Sequence, residues 1–107
     1  MTYDVYLHPK YLKKYQKLED KDPQVYNFIK VGLNKLKNNP FEKENKKLKG
    51  AWKGYRRVKV DDYRIIYEIV YNKKLGVNEV NVIKFGLRKN VYVKSWCWIY
   101  FDNLSLV

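Results

Sequence analysis

The chain has 107 residues, which is enough for one domain with a modest hydrophobic core but not for two. Its 23 lysine and arginine residues outnumber 11 aspartate and glutamate residues, giving a net charge of +12, and this surplus predicts a polyanionic partner such as nucleic acid or an anionic membrane surface. An aromatic fraction of 17% argues against a disordered basic tail, and the single cysteine, Cys97, excludes an internal disulfide and a multi-cysteine metal site.

No apolar stretch is long enough to span a membrane, and the first residues do not resemble a signal peptide. We therefore expect a cytoplasmic protein with no membrane partner and no cofactor, forming one domain over residues 1–107. The last fifteen residues, 93–107, contain a dense apolar run with Trp96 and Trp98. The sequence leaves open whether this atypical tail is a strand, a helix or a surface patch awaiting a partner.

The first half of the chain predicts one strand and two helices. Alternation over 2–7 indicates a short strand, after which His8-Pro9 opens a helix, since proline is tolerated in the first turn. Asp22-Pro23 opens a second helix in the same way, and Asn38-Asn39-Pro40 ends it. So short a connection predicts a helical hairpin packed on a sheet.

Residues 41–53 are loop-like and basic, and they precede the central hairpin. Each lysine here, taken alone, is more simply a solvated side chain. Together they could hold a phosphate backbone. The lysines are Lys43, Lys46, Lys47, Lys49 and Lys53.

The central stretch, residues 54–69, reads as two strands joined at Asp61-Asp62. A two-residue or a four-residue turn gives the same register, with Lys59 opposite Arg64 and Arg57 opposite Ile66. Residues that oppose each other share a face, so Arg57, Lys59 and Arg64 converge on one face of the sheet. Like charges in such positions cost stability, and a bound anion would offset that cost.

A turn at 72–76 leads to a strand over 77–85, in which Val80 and Val82 are expected on one face and Ile83 and Phe85 on the other. The predicted fold is α+β, a small, mainly antiparallel sheet in the order β-α-α-β-β-β. The helical hairpin covers one face. The other face is expected to stay open and to carry the cations.

Several short segments follow one another with a characteristic order and spacing over about residues 2–92. They are Tyr6-Leu7-His8-Pro9-Lys10, Asn39-Pro40, Lys47-Leu48-Lys49-Gly50, Gly54-Tyr55-Arg56-Arg57-Val58-Lys59-Val60, Asp62-Tyr63-Arg64-Ile65-Ile66-Tyr67-Glu68 and Gly86-Leu87-Arg88-Lys89-Asn90-Val91-Tyr92. In this order and spacing the chain resembles the RelE-type toxins of the RelE/ParE superfamily, the toxin half of type II toxin–antitoxin pairs.

The resemblance implies a RelE-like fold, a RelB-like antitoxin partner, and cleavage of mRNA on the ribosome by attack of the RNA's own 2′-hydroxyl on the adjacent phosphorus. It implies five catalytic residues, Arg57, Lys59, Arg64, Arg88 and Tyr92. We also expect six residues to contact RNA or the ribosome, namely Lys46, Lys47, Lys49, Lys53, Arg56 and Lys89. The chain departs from the family pattern at Leu87, which occupies a position that is often histidine, and in its Trp-rich tail.

The residue types allow this chemistry without a metal. A histidine pair is excluded, since His8 is the only histidine and its position at a helix start indicates a cap. Asp61 and Asp62 are more simply turn residues than metal ligands. Arginine forks stabilise a phosphorane, and like-charge repulsion makes Lys59 a plausible proton acceptor. Tyr92 either acts as the base or orients the 2′-hydroxyl.

Two other functions remain open on the sequence. The first is a ParE-like toxin that inhibits DNA gyrase by binding it. The second is an RNA-binding module without catalysis, which the charge and the aromatic content support equally well.

Overall fold

The computed structural model describes residues 3–91 and, for the backbone alone, residues 105–106. The elements are β1 (Val5–Leu7), α1 (Pro9–Lys21), α2 (Pro23–Asn38), a short 3₁₀ helix (Gly50–Trp52), β2 (Arg56–Val60), β3 (Tyr63–Asn72), β4 (Val77–Leu87), α3 (Arg88–Val91) and β5 (Ser105–Leu106). The strands lie in the order β2-β3-β4-β1-β5. Among the described strands, only the β1–β4 pair is parallel, so the predicted α+β fold with a mainly antiparallel sheet is confirmed.

The signals that predicted the two long helices act as caps. The Nδ1 atom of His8 accepts a hydrogen bond from the backbone N–H of Lys10 at 3.3 Å, which confirms the cap at the start of α1. Asp22 caps α2 in the same way, accepting from the N–H of Val25 at 3.3 Å. Each cap satisfies a donor that the first turn of a helix leaves unpaired. The strand β1 is shorter than predicted and begins at Val5.

The helical hairpin packs on one face of the sheet, and the main core lies between them. Tyr67 is the largest of its fully buried side chains, and its hydroxyl donates to the carbonyl oxygen of Pro40 at 2.6 Å. This bond ties the end of α2 to the centre of the sheet and leaves the phenol satisfied, as a buried hydroxyl requires. The core is formed by Val5, Leu7, Tyr11, Ile29, Leu33, Leu36, Val58, Ile65, Tyr67, Val80, Val82 and Phe85.

A β-bulge in β4 overturns one sequence expectation. Ile66 lies opposite Lys84 and its neighbour Tyr67 lies opposite Val82, so Ile83 is an extra residue without a partner on β3. One extra residue reverses the alternation of faces beyond it. Phe85 therefore joins Val80 and Val82 in the core, and the prediction that it lies on the opposite face was wrong.

The second face of the sheet is partly covered, whereas the sequence predicted it to be open. Residues 41–53 are not a simple loop, because Lys47 forms an antiparallel bridge with Arg56 along the edge of β2. The chain then folds over that face through the 3₁₀ helix, and Trp52 packs against Ile66 and Val91. The cations of this face consequently border a small apolar cluster.

The structure describes only a small part of the tail, residues 93–107. The two residues of β5 pair with Tyr6 and Leu7 of β1. Residues 93–104, with the tail's two tryptophans, lie outside the described residues. In the part of the chain that is described, no helix has the length and apolar character needed to cross a membrane.

Candidate nucleic-acid interface

Two rows of paired positions place cations side by side across β2, β3 and β4. In the first row Lys59 lies opposite Arg64, and Arg64 lies opposite Gly86. In the second row Arg57 lies opposite Ile66, and Ile66 lies opposite Lys84. Paired residues share a face, so all six lie on the face away from the helical hairpin. The predicted register is confirmed, and the face carries four cations around Gly86 and Ile66, which we call the cationic face.

Arg64 is held more tightly than its neighbours. Its side chain is only 5% exposed, and its Nη1 atom donates to the carbonyl oxygens of Asp61 and Tyr63, each at 2.9 Å. These bonds fix the guanidinium against the β2–β3 turn, where Asp61 has a left-handed φ of 55°. Arginine keeps its charge throughout the accessible pH range. Arg64 thus supplies a fixed positive charge whose position depends on the turn, whereas Lys59 beside it is exposed.

Because Arg64 is buried and bonded to its own turn, we expect its replacement by methionine to lower the free energy of unfolding by about 2 kcal/mol through the loss of charged hydrogen bonds. Urea denaturation monitored by circular dichroism measures this. Lys59→Met is the matched control, since an exposed lysine should change stability by less than about 0.5 kcal/mol. Equal stability of the two variants would show that the turn contacts of Arg64 contribute nothing.

Arg88 reaches the same turn from another element. Its backbone N–H donates to the carbonyl oxygen of Asp62 at 2.9 Å, so α3 begins at the tip of the β2–β3 hairpin. The other end of α3 is anchored by Val91, which is buried beside Trp52. Arg88 and Lys89 are both exposed on this short helix. Arg64 and Arg88 are therefore tied to one turn, although they are far apart in sequence. Tyr92 lies outside the described residues.

The predicted contact lysines divide between two clefts beside β2. A cleft of about 480 Å³ is lined by Lys47, Lys49, Lys53 and Arg56. A second cleft, of about 710 Å³, is lined by Lys46 together with Arg57 and Lys59. It also contains the carboxylates of Glu42 and Glu44 and the basic side chain of Lys35. Lys46 thus borders the cationic face at the edge of β2, and the other lysines of this set form a separate basic area.

Arg56 does not belong to the cationic face. It lies opposite Tyr67, whose ring is in the core on the helix side of the sheet. Its guanidinium carbon lies 5.8 Å from the centre of the Phe41 ring, a distance typical of a cation–π contact. Arg56 therefore sits at the sheet edge, half-buried on the opposite face from Arg57.

Three residues of this region were not predicted from the sequence: Trp52, Lys84 and Val91. Trp52 is 8% exposed and packs edge-on against Tyr55, with ring centres 5.8 Å apart. In the sequence, the one indication that this segment packs on the sheet was a large apolar side chain, Trp52, within a basic stretch. Lys84 had no such signal, since only the bulge at Ile83 puts it on the cationic face.

The half of the cationic side of the sheet that is distant from the β2–β3 turn carries carboxylates. Glu68 and Glu79 lie there, on β3 and β4, next to Asn81. The hydroxyl of Tyr6 donates to Oε2 of Glu79 at 2.9 Å, and burial raises the pKa of Glu68. On this face the strand cations thus lie toward the β2–β3 turn and the strand carboxylates toward the other end. Within residues 3–91 no three histidine, cysteine, aspartate or glutamate side chains cluster as metal ligands would.

A helical hairpin on one face of a small antiparallel sheet, with cations on the other, defines a RelE-like α+β protein. In keeping with this class, residues 5–92 match the family described as ParE toxin of type II toxin-antitoxin system, parDE. The match covers most of the chain, which therefore belongs to this family within the RelE/ParE superfamily. No curated protein matches the chain. Membership makes it a toxin with an antitoxin as its partner.

Proposed function

We propose that the protein is a ribosome-dependent endoribonuclease that cleaves mRNA. The observation that carries this proposal is the cationic face, where Lys59 lies directly opposite Arg64 and Arg57 lies one row away. Cleavage by the RNA's own 2′-hydroxyl passes through a phosphorane with extra negative charge, and fixed cations stabilise that charge more than they stabilise the ground state. Arg64 is fixed by its bonds to the turn, and strand pairing sets the backbone positions that carry Arg57 and Lys59.

Each of the proposed catalytic side chains has one role in the cleavage of the phosphodiester bond. The 2′-oxygen loses its proton as it bonds to phosphorus, and the bond to the 5′-oxygen of the next nucleotide then breaks, leaving a 2′,3′-cyclic phosphate. Arg57 and Arg64 stabilise the non-bridging oxygens, and either Lys59 or Tyr92 accepts the proton. Arg88 stabilises the departing 5′-oxygen, which takes up a proton from solvent or a neighbouring acid. The ribosome aligns the RNA, which explains how so few groups suffice.

Two substitutions test the proposal directly. We expect Arg88→Ala and Tyr92→Phe each to lower cleavage about 100-fold while the fold is retained, because each removes one group that acts on the transition state. Primer extension on a reporter mRNA in a translating extract measures this. Lys74→Ala, at the opposite end of the sheet, is the control. If wild-type toxin makes no codon-positioned cuts, or if the double variant cuts normally, the proposal is wrong.

A second candidate function, inhibition of DNA gyrase, is favoured by the description of the matched family as ParE toxins. In that case the cationic face would bind gyrase or its DNA instead of mRNA. Growth arrest with intact mRNA, together with loss of supercoiling activity in purified gyrase, would support it. For the nuclease function, we propose that the antitoxin partner is RelB-like and that its acidic surface covers the cationic face.

A further inference from the structure

We propose that Lys84 is a further RNA-binding residue of this site, which contacts a phosphate on the side of the scissile bond where Arg88 lies. The inference rests on the proposed function and adds to it a residue that neither the sequence pattern nor the family match singles out. The bulge at Ile83 determines where Lys84 lies, because a regular β4 would put Lys84 opposite Ile65 and on the core side of the sheet. With the bulge, Phe85 takes the core position and Lys84 lies on the cationic face.

The position of Lys84 mirrors that of Arg57. Both lie opposite Ile66, one on β2 and the other on β4. Two strand spacings of about 4.8 Å separate their backbones by about 10 Å. A charged hydrogen bond to phosphate spans only about 2.8 Å, so the two side chains can serve different phosphates of one strand. Lys84 thereby extends the cationic face from its β2 edge to β4.

Lys84 also lies beside the helix that carries Arg88. A groove of about 360 Å³ between the helical hairpin and β4 is lined by Lys84, by Asn90 and Val91, and on the helix side by residues that include Tyr11, Lys14 and Asp22. Asn90 and Val91 belong to α3, which begins at Arg88. Lys84 is half-buried and borders the same groove as α3. A strand of RNA that crosses from β2 toward Arg88 passes over Lys84.

Binding of a short single-stranded RNA, measured by fluorescence anisotropy over a range of salt concentrations, tests the inference apart from catalysis. Each phosphate contact that is lost lowers the slope of log affinity against log salt by about 0.7. We expect this decrease for Lys84→Gln, with affinity about 5-fold weaker at moderate salt, and near wild-type values for Lys84→Arg, which keeps the charge. Lys74→Gln is the matched control, since it removes the same charge from an exposed turn.

A slope for Lys84→Gln equal to that for Lys74→Gln would overturn the inference, as would failure of the wild-type protein to bind RNA. Circular dichroism of each variant shows whether the fold is retained, and Lys84→Arg separates loss of charge from loss of packing. Primer extension in the translating extract, run in parallel, tests the proposed nuclease function separately. If the wild-type protein binds RNA through Lys84 but makes no cuts, the nuclease proposal is wrong and the RNA-binding role of Lys84 stands.

Discussion

Simultaneous replacement of Arg57 and Lys59 by methionine is expected to lower the proposed ribosome-dependent mRNA cleavage by at least about 100-fold. The two side chains provide half of the four cations on the cationic face, and removal of even one preorganised donor typically costs 10²-fold or more. Methionine keeps an unbranched apolar stem of similar length, so the strand should still form. Arg57 is half-buried and Lys59 exposed, and neither supports the main core. Primer extension with equal concentrations of each protein measures the loss.

The control for this variant removes the same charge elsewhere. Lys73→Met combined with Lys74→Met lowers the net charge by two at the β3–β4 turn, where both lysines are exposed. If non-specific attraction to the ribosome were the whole effect, the two double variants would lose activity equally. Full activity in the Arg57/Lys59 variant would contradict the assignment of the cationic face to the reaction.

The largest effect on stability is expected for Trp52→Ala. Trp52 is 8% exposed and covers Ile66, which is fully buried on the face away from the helices. Truncation of a buried tryptophan removes its contacts and leaves a cavity, at a cost of about 3 kcal/mol. The same change frees the chain around the 3₁₀ helix, so the cleft lined by Lys49 and Lys53 should lose its shape. Thermal and urea unfolding measure the loss.

Tyr71→Ala is the matched aromatic control, because Tyr71 is 58% exposed and should change stability by less than about 0.5 kcal/mol. Trp52→Phe keeps an aromatic ring and should recover part of the loss. If Trp52→Ala and Tyr71→Ala unfold at the same urea concentration, the apolar cover over Ile66 does not stabilise the fold.

The elements that could be predicted were those with local signals. Proline after His8 and after Asp22 marks both helix starts, because the side chain before each proline caps the helix it opens. The register of the central hairpin follows from a two-residue turn and the alternation on either side of it. That register alone brings Lys59 and Arg64 together, so the centre of the candidate site was predictable from one stretch of sequence.

The features that were not predicted depend on contacts distant in sequence. The bulge at Ile83 follows from the need to bury Phe85 under the helices, and no local pattern indicates it. The burial of Arg64 depends on where the turn carbonyls point, which the residue types do not specify. Trp52 covers the sheet only because the basic segment around it folds back over that face. A segment with so many lysines is usually expected to be solvated.

The uneven charge along one sheet face gives that face a directional electric field. The cations lie near the β2–β3 turn, and Glu68 and Glu79 lie toward the other end. This field attracts a polyanion most strongly to the end of the face near the β2–β3 turn. Added salt screens the attraction, so association is expected to slow as the salt concentration rises.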